Sequence, residues 1–178
     1  MIYVCSDFHF YHDKDFLYAP RGFRSIEEAN AEMIKRYNEV VEEEDTVYIL
    51  GDLGLNATGH EICELVAKLK GKKYLVIGNH DSNARVEAYK ESELFEAVDF
   101  GFRLVYNKKT FWLTHYPMLV ANYDDKPNYN IHGHTHDFNH LHADWPHCID
   151  VSPETNNCYP ISMEDILEII KEEKRAQN

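Results

Sequence analysis

The stretch Tyr74-Leu75-Val76-Ile77-Gly78-Asn79-His80-Asp81 joins a short apolar run to a turn that carries an amide, an imidazole and a carboxylate. A short apolar run of this kind predicts a buried β-strand. Four other apolar segments are also followed closely by Asp or His, and they lie at residues 2–4, 47–50, 111–113 and 131. This layout is typical of an α/β sheet whose functional site lies beyond the carboxyl ends of its strands.

Two amphipathic segments separate the first three predicted strands. Ser25 followed by Glu28 has the pattern of a capping box, and it predicts a helix over residues 26–42. Thr58 is a candidate cap for a second helix, which Gly71 would end. Strands joined by helical crossovers pair in parallel, so these three strands should form a parallel unit.

The character of the chain changes after residue 92. Residues 100–106 and 110–114 predict two strands joined by a hairpin turn at Asn107-Lys108. Further short strands are expected near 130–132 and 147–151, and a last helix is expected to begin near Ser162. We find no linker or repeat in the sequence, and we therefore expect residues 1–178 to form a single domain.

Composition restricts the class of protein. The chain has 18 basic and 31 acidic residues and a formal charge of −13, which disfavours binding of long nucleic acids. Its four cysteines form no Cys-x-x-Cys pair, so buried thiols and a cytoplasmic location are the simplest interpretation, although a Cys148–Cys158 bridge is conceivable. No apolar stretch approaches the roughly 20 residues that span a bilayer, and we expect no membrane partner.

The polar residues at the strand ends have the chemistry of metal ligands. They are Asp7, His9, Asp52, Asn79, His115, His134 and His136. Oxygen and imidazole donors without a thiolate suit Mn, Fe, Ni or Zn, of which we favour manganese. The set is too large for one tetrahedral ion, and it fits two divalent ions that share a carboxylate.

The order of these motifs resembles the calcineurin-like metallophosphoesterase superfamily. The blocks are Asp-x-His, Gly-Asp, Gly-Asn-His-Asp, a single His and Gly-His-x-His, and they follow one another from residue 7 to residue 136. Arg21-Gly22-Phe23 and Tyr159-Pro160-Ile161-Ser162 also resemble small bacterial and phage phosphoesterases of that superfamily. The resemblance implies two packed mixed β-sheets flanked by helices, an α/β/β/α sandwich.

The resemblance also implies a role for each donor. One metal would be held by Asp7, His9, Asp52 and His136, and the other by Asp52, Asn79, His115 and His134. Asp52 would bridge the two ions, and a hydroxide between them would attack phosphorus. His80 would be the catalytic histidine that stabilises charge or protonates the leaving group, and Asp81 would orient it. Alternatively, Asp81 caps the following helix.

Several other polar residues are weaker candidates. His12 and Arg21 could bind the substrate phosphate, although Arg21 could instead pair with one of the many surface acids. The loop at residues 116–130, with Tyr116, Asn122 and Tyr123, could shape a substrate pocket, and its role stays open. His140, His142 and His147 form either a minor metal site or part of a polar loop surface.

The preferred function is a metal-dependent phosphoesterase that hydrolyses a small phosphate ester. A phosphodiester such as a nucleotide is favoured because the chain is too small for a separate cap domain and related compact members often act on diesters. A phosphomonoesterase is the alternative. A third interpretation is a catalytically silent scaffold, but the intact ligand set and His80 argue against it.

Overall fold

The computed structural model of the protein describes residues 1–120, 128–141, 145 and 147–176. In chain order the described elements are β1 (Ile2–Cys5), α1 (Asp15–Tyr18), α2 (Ile26–Val40), β2 (Thr46–Ile49), α3 (Gly59–Val66), β3 (Lys72–Val76), α4 (Asn83–Glu91), β4 (Ala97–Asp99), β5 (Gly101–Tyr106), β6 (Lys109–Thr114), β7 (Asn128–His132), β8 (Cys148–Asp150), β9 (Ile161–Ser162) and α5 (Met163–Ala176). One turn of 3-10 helix, Pro153–Thr155, lies between β8 and β9.

The first sheet has the strand order β4-β3-β2-β1-β9. Strands β1 to β4 are parallel, and β9 pairs with β1 in the antiparallel direction. Helices α2 and α3 form the crossovers from β1 to β2 and from β2 to β3, as the sequence predicts. The carboxyl ends of β1, β2 and β3 therefore lie along one edge of this sheet.

The second sheet has the order β5-β6-β7-β8, with β5 antiparallel to β6 and the other pairs parallel. The predicted hairpin is present, and its turn residues Asn107 and Lys108 have φ angles of 46° and 61°. Two left-handed residues match the twist of a two-residue hairpin turn. Two mixed sheets with helices confirm the predicted fold class.

Two apolar clusters hold these layers together. On one face of the first sheet, Met33 and Tyr37 of α2 pack with residues of α3 and α4 such as Ile62 and Tyr89. The other cluster joins the two sheets and α5, and its members include Val4, Leu50, Phe111, Ile131 and Ile166. Each such fully buried side chain contributes about 1.5–3 kcal/mol, so the two sheets form a firm frame for the loops at their ends.

Some local details differ from the sequence predictions. Helix α2 ends at Val40 instead of residue 42, and the Glu28 carboxylate accepts from Arg24 N, so only the Ser25 half of its capping box forms. The Thr58 capping box of α3 is complete. The short elements α1, β4 and β9 are absent from the predictions because two to four residues are too few to show a periodic pattern.

The four cysteines are buried thiols without a disulfide, as expected from the sequence. Within the described residues, no helix has the length and apolar character needed to cross a bilayer.

Candidate metal centre

The residues predicted as metal ligands come together where the carboxyl ends of strands from both sheets meet. Asp7, Asp52 and Asn79 follow β1, β2 and β3 of the first sheet, while His115 and His134 follow β6 and β7 of the second. Among the described side chains, three overlapping groups of donors lie close enough to hold a metal ion. These groups are Asp7 with His9 and His136, His9 with Asp52 and His80, and Asp7 with Asp52 and His115.

The first group surrounds one oxygen of Asp7. Its Oδ1 lies 3.7 Å from Nε2 of His9 and 3.6 Å from Nε2 of His136, and the two imidazole nitrogens are 3.3 Å apart. The oxygen has no hydrogen-bond partner among the described residues, although it is fully buried. Burying a carboxylate oxygen without a partner costs free energy. The donor atoms of Asp7, His9 and His136 surround one common space.

The other proposed donors lie around Asp52. Its Oδ2 is 3.5 Å from Nε2 of His115, and the same nitrogen is 2.8 Å from Oδ1 of Asn79. The His134 ring stands beside His115, with ring centroids 5.0 Å apart. Asp52 Oδ2 is also 3.7 Å from Nε2 of His9, so this carboxylate lies between the two groups.

The charge state of the donors fits metal binding. Burial lowers the pKa of His9 and of His134, which keeps these imidazoles neutral and able to coordinate. Burial alone would raise the pKa of Asp7, but contact with His9 and the fields of His136 and His115 outweigh it and hold the pKa well below its usual value. Imidazole and carboxylate donors without a thiolate suit divalent ions such as Mn, Fe, Ni or Zn.

The backbone that presents these ligands is strained. Asp7, His9, Asp52, His134 and His136 all have positive φ angles, between 52° and 72°. This left-handed conformation costs a non-glycine residue of the order of 1 kcal/mol. Five of the seven predicted ligands adopt this conformation. The surrounding structure therefore holds these loops in a strained backbone conformation, as is common at functional sites.

Two glycines allow the loops to approach the carboxylates. A Cβ on Gly78 would overlap Oδ1 of Asp52 and lie 2.5 Å from its backbone nitrogen. A Cβ on Gly133 would overlap Oδ2 of Asp7 and lie 2.5 Å from Oγ of Ser6. Each glycine in the predicted Gly-Asn-His-Asp and Gly-His-x-His motifs is therefore required by the close approach of a carboxylate.

Outer contacts fix the orientation of two imidazoles. Nδ1 of His115 lies 2.9 Å from the Leu50 carbonyl oxygen, which leaves Nε2 toward Asp52 and Asn79. Nδ1 of His136 lies 3.2 Å from both carboxylate oxygens of Glu154, and Arg21 Nε donates to Glu154 at 2.8 Å. Contact with His136 and Arg21 lowers the pKa of Glu154 to about 2 despite the opposing effect of burial.

Arg21 is enclosed by the protein. Its side chain is 2% exposed, and besides Glu154 it donates to the carbonyl oxygens of Phe8 and Asp7, at 3.3 and 3.1 Å. A guanidinium so enclosed braces the ligand loops, and its binding of a substrate phosphate stays a prediction. Arg21 does pair with an acidic side chain, but this partner is the buried Glu154 and not a surface residue.

Asp81 is hydrogen-bonded to the backbone. Its buried carboxylate accepts hydrogen bonds from the backbone N–H groups of Gly78, Asp52 and Leu53, at 2.9, 2.9 and 3.2 Å. It ties the loop after β3 to the loop after β2, whereas the His80 imidazole lies near Asp52, with Nε2 3.9 Å from Asp52 Oδ2. Ser82, not Asp81, is the N-cap of α4. Asp81 therefore does not cap α4, and its orienting role toward His80 stays a prediction.

His80 and His12 lie at the open side of the centre. Both line a cleft of about 460 Å³ whose floor also includes His9 and His136. The backbone N–H of His80 donates to Asp52 Oδ1 at 2.8 Å, while its side chain is 38% exposed toward the cleft. Burial, together with the neighbouring His9 and His80, lowers the pKa of His12 to about 4, so His12 is neutral near pH 7.

Sequence reasoning missed two acidic residues near the end of β8. Asp150 is fully buried, and it accepts hydrogen bonds from Thr135 Oγ1 and, at 3.3 Å, from the backbone N–H of Asp137, which holds the His134–His136 loop. Glu154 follows in the 3-10 turn. Neither residue stands in a metal-ligand spacing, and the one available signal was the position of Asp150 at the end of a predicted strand.

The remaining candidates have mixed outcomes. Nδ1 of His140 lies 2.8 Å from the Asp150 carbonyl oxygen, and the His147 ring packs against Tyr129 with centroids 5.1 Å apart, so both have structural partners. Tyr116 contacts the His134 ring, with centroids 4.6 Å apart. His142, Asn122 and Tyr123 lie outside the described residues, as do residues 121–127 of the loop at 116–130.

Comparison with known families identifies the class to which this fold and donor set belong. The calcineurin-like phosphoesterase superfamily domain matches residues 1–149, and the chain belongs to this superfamily. An uncharacterized protein of Methanocaldococcus jannaschii is 35% identical over 97% of this chain and 93% of its own length. The gene 66 protein of Mycobacterium phage L5 is 40% identical over a shorter segment, which covers 32% of this chain and 28% of that protein.

A solved structure has the same fold. A protein of unknown function from Aquifex aeolicus superposes with a TM-score of 0.69 at 27% identity, covering 95% of this chain and 98% of that one.

Proposed function

We propose that this protein is a binuclear metal-dependent phosphoesterase that hydrolyses a small phosphodiester. The observation that supports it most directly is the position of Asp52, whose Oδ2 lies 3.7 Å from His9 and 3.5 Å from His115, between two groups of imidazole and oxygen donors. Divalent ions bound there, of which manganese is the preferred choice, would supply a water of lowered pKa and offset the charge of the phosphoryl group.

In this proposal Asp7, His9, Asp52 and His136 hold one ion, and Asp52, Asn79, His115 and His134 hold the other. Asp52 is suited to the shared position because its second oxygen, Oδ1, is already fixed by the backbone N–H of His80 at 2.8 Å. A carboxylate held at one oxygen presents the other in a constant direction, which reduces the reorganisation needed on binding.

His80 is the proposed catalytic residue. Its main chain is held from both sides, because its N–H donates to Asp52 Oδ1 and its carbonyl oxygen accepts from Arg85 Nη1 at 2.9 Å. Its imidazole is left free to face the cleft, with Nε2 3.9 Å from Asp52 Oδ2. A fixed backbone with a half-exposed ring suits a group that stabilises developing charge on the phosphoryl oxygens or gives a proton to the leaving group.

Glu154 and Arg21 act in this proposal as positioning residues for His136. A carboxylate behind a coordinating imidazole fixes its tautomer and raises its basicity. Arg21 keeps that carboxylate ionised, because its Nε lies 2.8 Å from Glu154 in a site that is nearly closed to solvent.

A small diester, such as a nucleotide, is favoured over long nucleic acid because the formal charge of the chain is −13. The cleft is open and leads directly to His80, which leaves room for a second substituent on the phosphate. The buried thiols fit a reducing compartment, and we propose a cytoplasmic location.

The proposal is tested by hydrolysis of bis-p-nitrophenyl phosphate and p-nitrophenyl phosphate by Mn²⁺-reconstituted protein. We expect faster cleavage of the diester, a loss of roughly 10²-fold or more in kcat for His80→Ala with its metal content retained, and no change for the exposed control His60→Ala.

Each other outcome contradicts a part of the proposal. Preferred cleavage of the monoester would indicate a phosphomonoesterase. Absence of turnover with both metals bound would contradict an enzymatic role and favour a scaffold. Loss of metal from His80→Ala would make His80 a ligand instead of a catalytic residue.

A further inference from the structure

Apolar side chains contribute to the lining of the cleft at the proposed metal centre. Phe16, Leu17, Pro20 and Phe138, here called the apolar rim, line the same cleft as His9, His80 and His136. The two aromatic rings are 69% and 66% exposed for Phe16 and Phe138, respectively. Single exposed apolar residues are ordinary on a protein surface, whereas these two phenylalanines line one cleft together with residues of the proposed metal centre.

Phe16 is presented to the cleft by a rigid element. It belongs to the short helix α1, whose next residue Leu17 is buried and anchors the helix to the protein. The Phe16 ring stands edge-on to His12, with centroids 6.2 Å apart, and His12 is 6.0 Å from the His80 ring. A continuous row of rings therefore leads from the rim to the proposed catalytic histidine.

Phe138 reaches the same cleft from the second sheet. It follows the ligand His136 by two residues in the loop that Asp150 holds through Thr135 and Asp137. The rim thus joins an element after β1 to a loop after β7, and both are attached to proposed metal ligands. The position of the rim is therefore fixed relative to the proposed metal centre, and no separate domain is needed to form it.

We propose that Phe16 and Phe138 form a subsite for the base of a nucleoside phosphoester whose phosphate lies at the proposed metal centre. This inference rests on the proposed function, and it names the substrate class. Aromatic side chains stack on any nucleobase, because every base has a π-face. Phe, Leu and Pro side chains have no hydrogen-bonding groups, so the subsite holds a base without selecting among bases.

The arrangement also matches the charge of such a ligand. A nucleoside monophosphate or a small diester carries its charge at one end, where the proposed ions would bind it, and its apolar plane at the other. A polynucleotide adds further phosphates that meet a chain of formal charge −13. The combination therefore favours mononucleotide-sized ligands.

The test compares AMP with ribose 5-phosphate, which has the same phosphate on the same sugar and lacks the base. Their dissociation constants are measured by isothermal titration calorimetry on the Mn²⁺-loaded full chain. A stacked base contributes about 1–3 kcal/mol, so we expect AMP to bind roughly 5- to 150-fold more tightly. Phe16→Ala and Phe138→Ala should each remove part of that advantage and leave ribose 5-phosphate binding unchanged.

Two further variants serve as controls. Phe100→Ala removes an equally exposed phenylalanine, 77% accessible, that is not part of the cleft lining, and it should alter neither constant. Phe138→Trp retains a stacking surface and should preserve the preference for AMP. Because all three positions are exposed, circular dichroism is expected to show unchanged folding.

Equal affinity for AMP and ribose 5-phosphate in the unmodified protein would overturn the subsite, as would equal losses for both ligands in the alanine variants. Turnover of bis-p-nitrophenyl phosphate, measured on the same preparations, separates this failure from failure of the proposed function. Turnover without an AMP preference rejects only the subsite. An AMP preference without turnover supports the subsite and contradicts the proposed phosphoesterase activity.

Discussion

The carboxylate of Glu154 lies 3.2 Å from Nδ1 of His136, on the side of the ring opposite to Asp7, whose Oδ1 is 3.6 Å from Nε2. The imidazole is therefore held between a supporting carboxylate and the proposed metal centre. Glu154 reaches this position from the single 3-10 turn between β8 and β9, a segment without any recognisable motif. The relationship leads to two predictions.

Glu154→Gln should weaken metal binding and leave the fold intact. A neutral amide cannot stabilise the same tautomer and charge on His136, and loss of such a supporting carboxylate typically lowers metal affinity by about 10- to 100-fold. Competition with a chelator measures the change, and Glu87→Gln, at an exposed position on α4, is the control. Unchanged affinity in the Glu154 variant would show that its contact with His136 is incidental.

The same residue should make the metal-free protein sensitive to acid. Its pKa in the folded state is about 2, below the usual value, because His136 and Arg21 favour its ionised form. The unfolded chain then binds a proton that the folded chain does not, so the stabilisation is present above the ordinary carboxyl pKa and is lost as pH falls toward 2. Between pH 4.5 and pH 2, urea denaturation of the metal-free protein should therefore show that the free energy of unfolding falls less steeply for Glu154→Gln than for the unmodified protein. Parallel curves would contradict the assignment.

The sequence predicted the arrangement of strands and donors because both follow from regular rules. Apolar runs predicted β1, β2 and β3, and helical crossovers required their parallel pairing. The carboxyl ends of such strands share one edge, which brings Asp7, Asp52 and Asn79 together.

Other contacts depend on tertiary packing and had no local signal. Strand β9 has only two residues, and Phe16 lies on a four-residue helix. The orienting role of Asp81 toward the His80 ring follows from the family resemblance and not from a local pattern. In the folded chain, the backbone N–H groups of Gly78, Asp52 and Leu53 donate hydrogen bonds to the Asp81 carboxylate. Arg21 is likewise directed inward by a buried partner 133 residues away.

Gly78→Ala should displace Asp52 and remove bound metal. The new Cβ would overlap Oδ1 of Asp52 and lie 2.5 Å from its backbone nitrogen, and neither atom belongs to a flexible end that could move aside. Gly22→Ala is an informative control, because Gly22 has a φ of 86° but nothing within 4 Å of the added carbon. We expect that control to lose about 1 kcal/mol of stability from backbone strain and to retain its metal. Equal metal affinity in both variants would argue against the steric explanation.

Asp52→Asn should weaken both ions together. The carboxylate lies between the two donor groups, 3.7 Å from His9 and 3.5 Å from His115, and an amide offers less charge and one oxygen. Metal content after dialysis, measured by inductively coupled plasma mass spectrometry, should fall below one ion per chain. Asp99→Asn changes an exposed carboxylate in β4 and should have no effect. Retention of one full-strength site would contradict the shared position of Asp52.

Asp81→Ala should destabilise the protein and loosen its metal site, rather than alter the chemistry of His80 alone. The carboxylate satisfies three buried backbone N–H groups, and each unsatisfied donor costs about 1–3 kcal/mol. Two of these groups belong to Asp52 and Leu53, so the loop that carries the central carboxylate loses its support. Urea denaturation should show a lower free energy of unfolding, and chelator competition should show a weaker metal affinity. Tyr89→Phe removes only the longer contact with Asp81, at 3.4 Å, and should have a smaller effect on both. A variant of Asp81 with normal stability and metal affinity but a reduced kcat would instead restore the role of orienting His80.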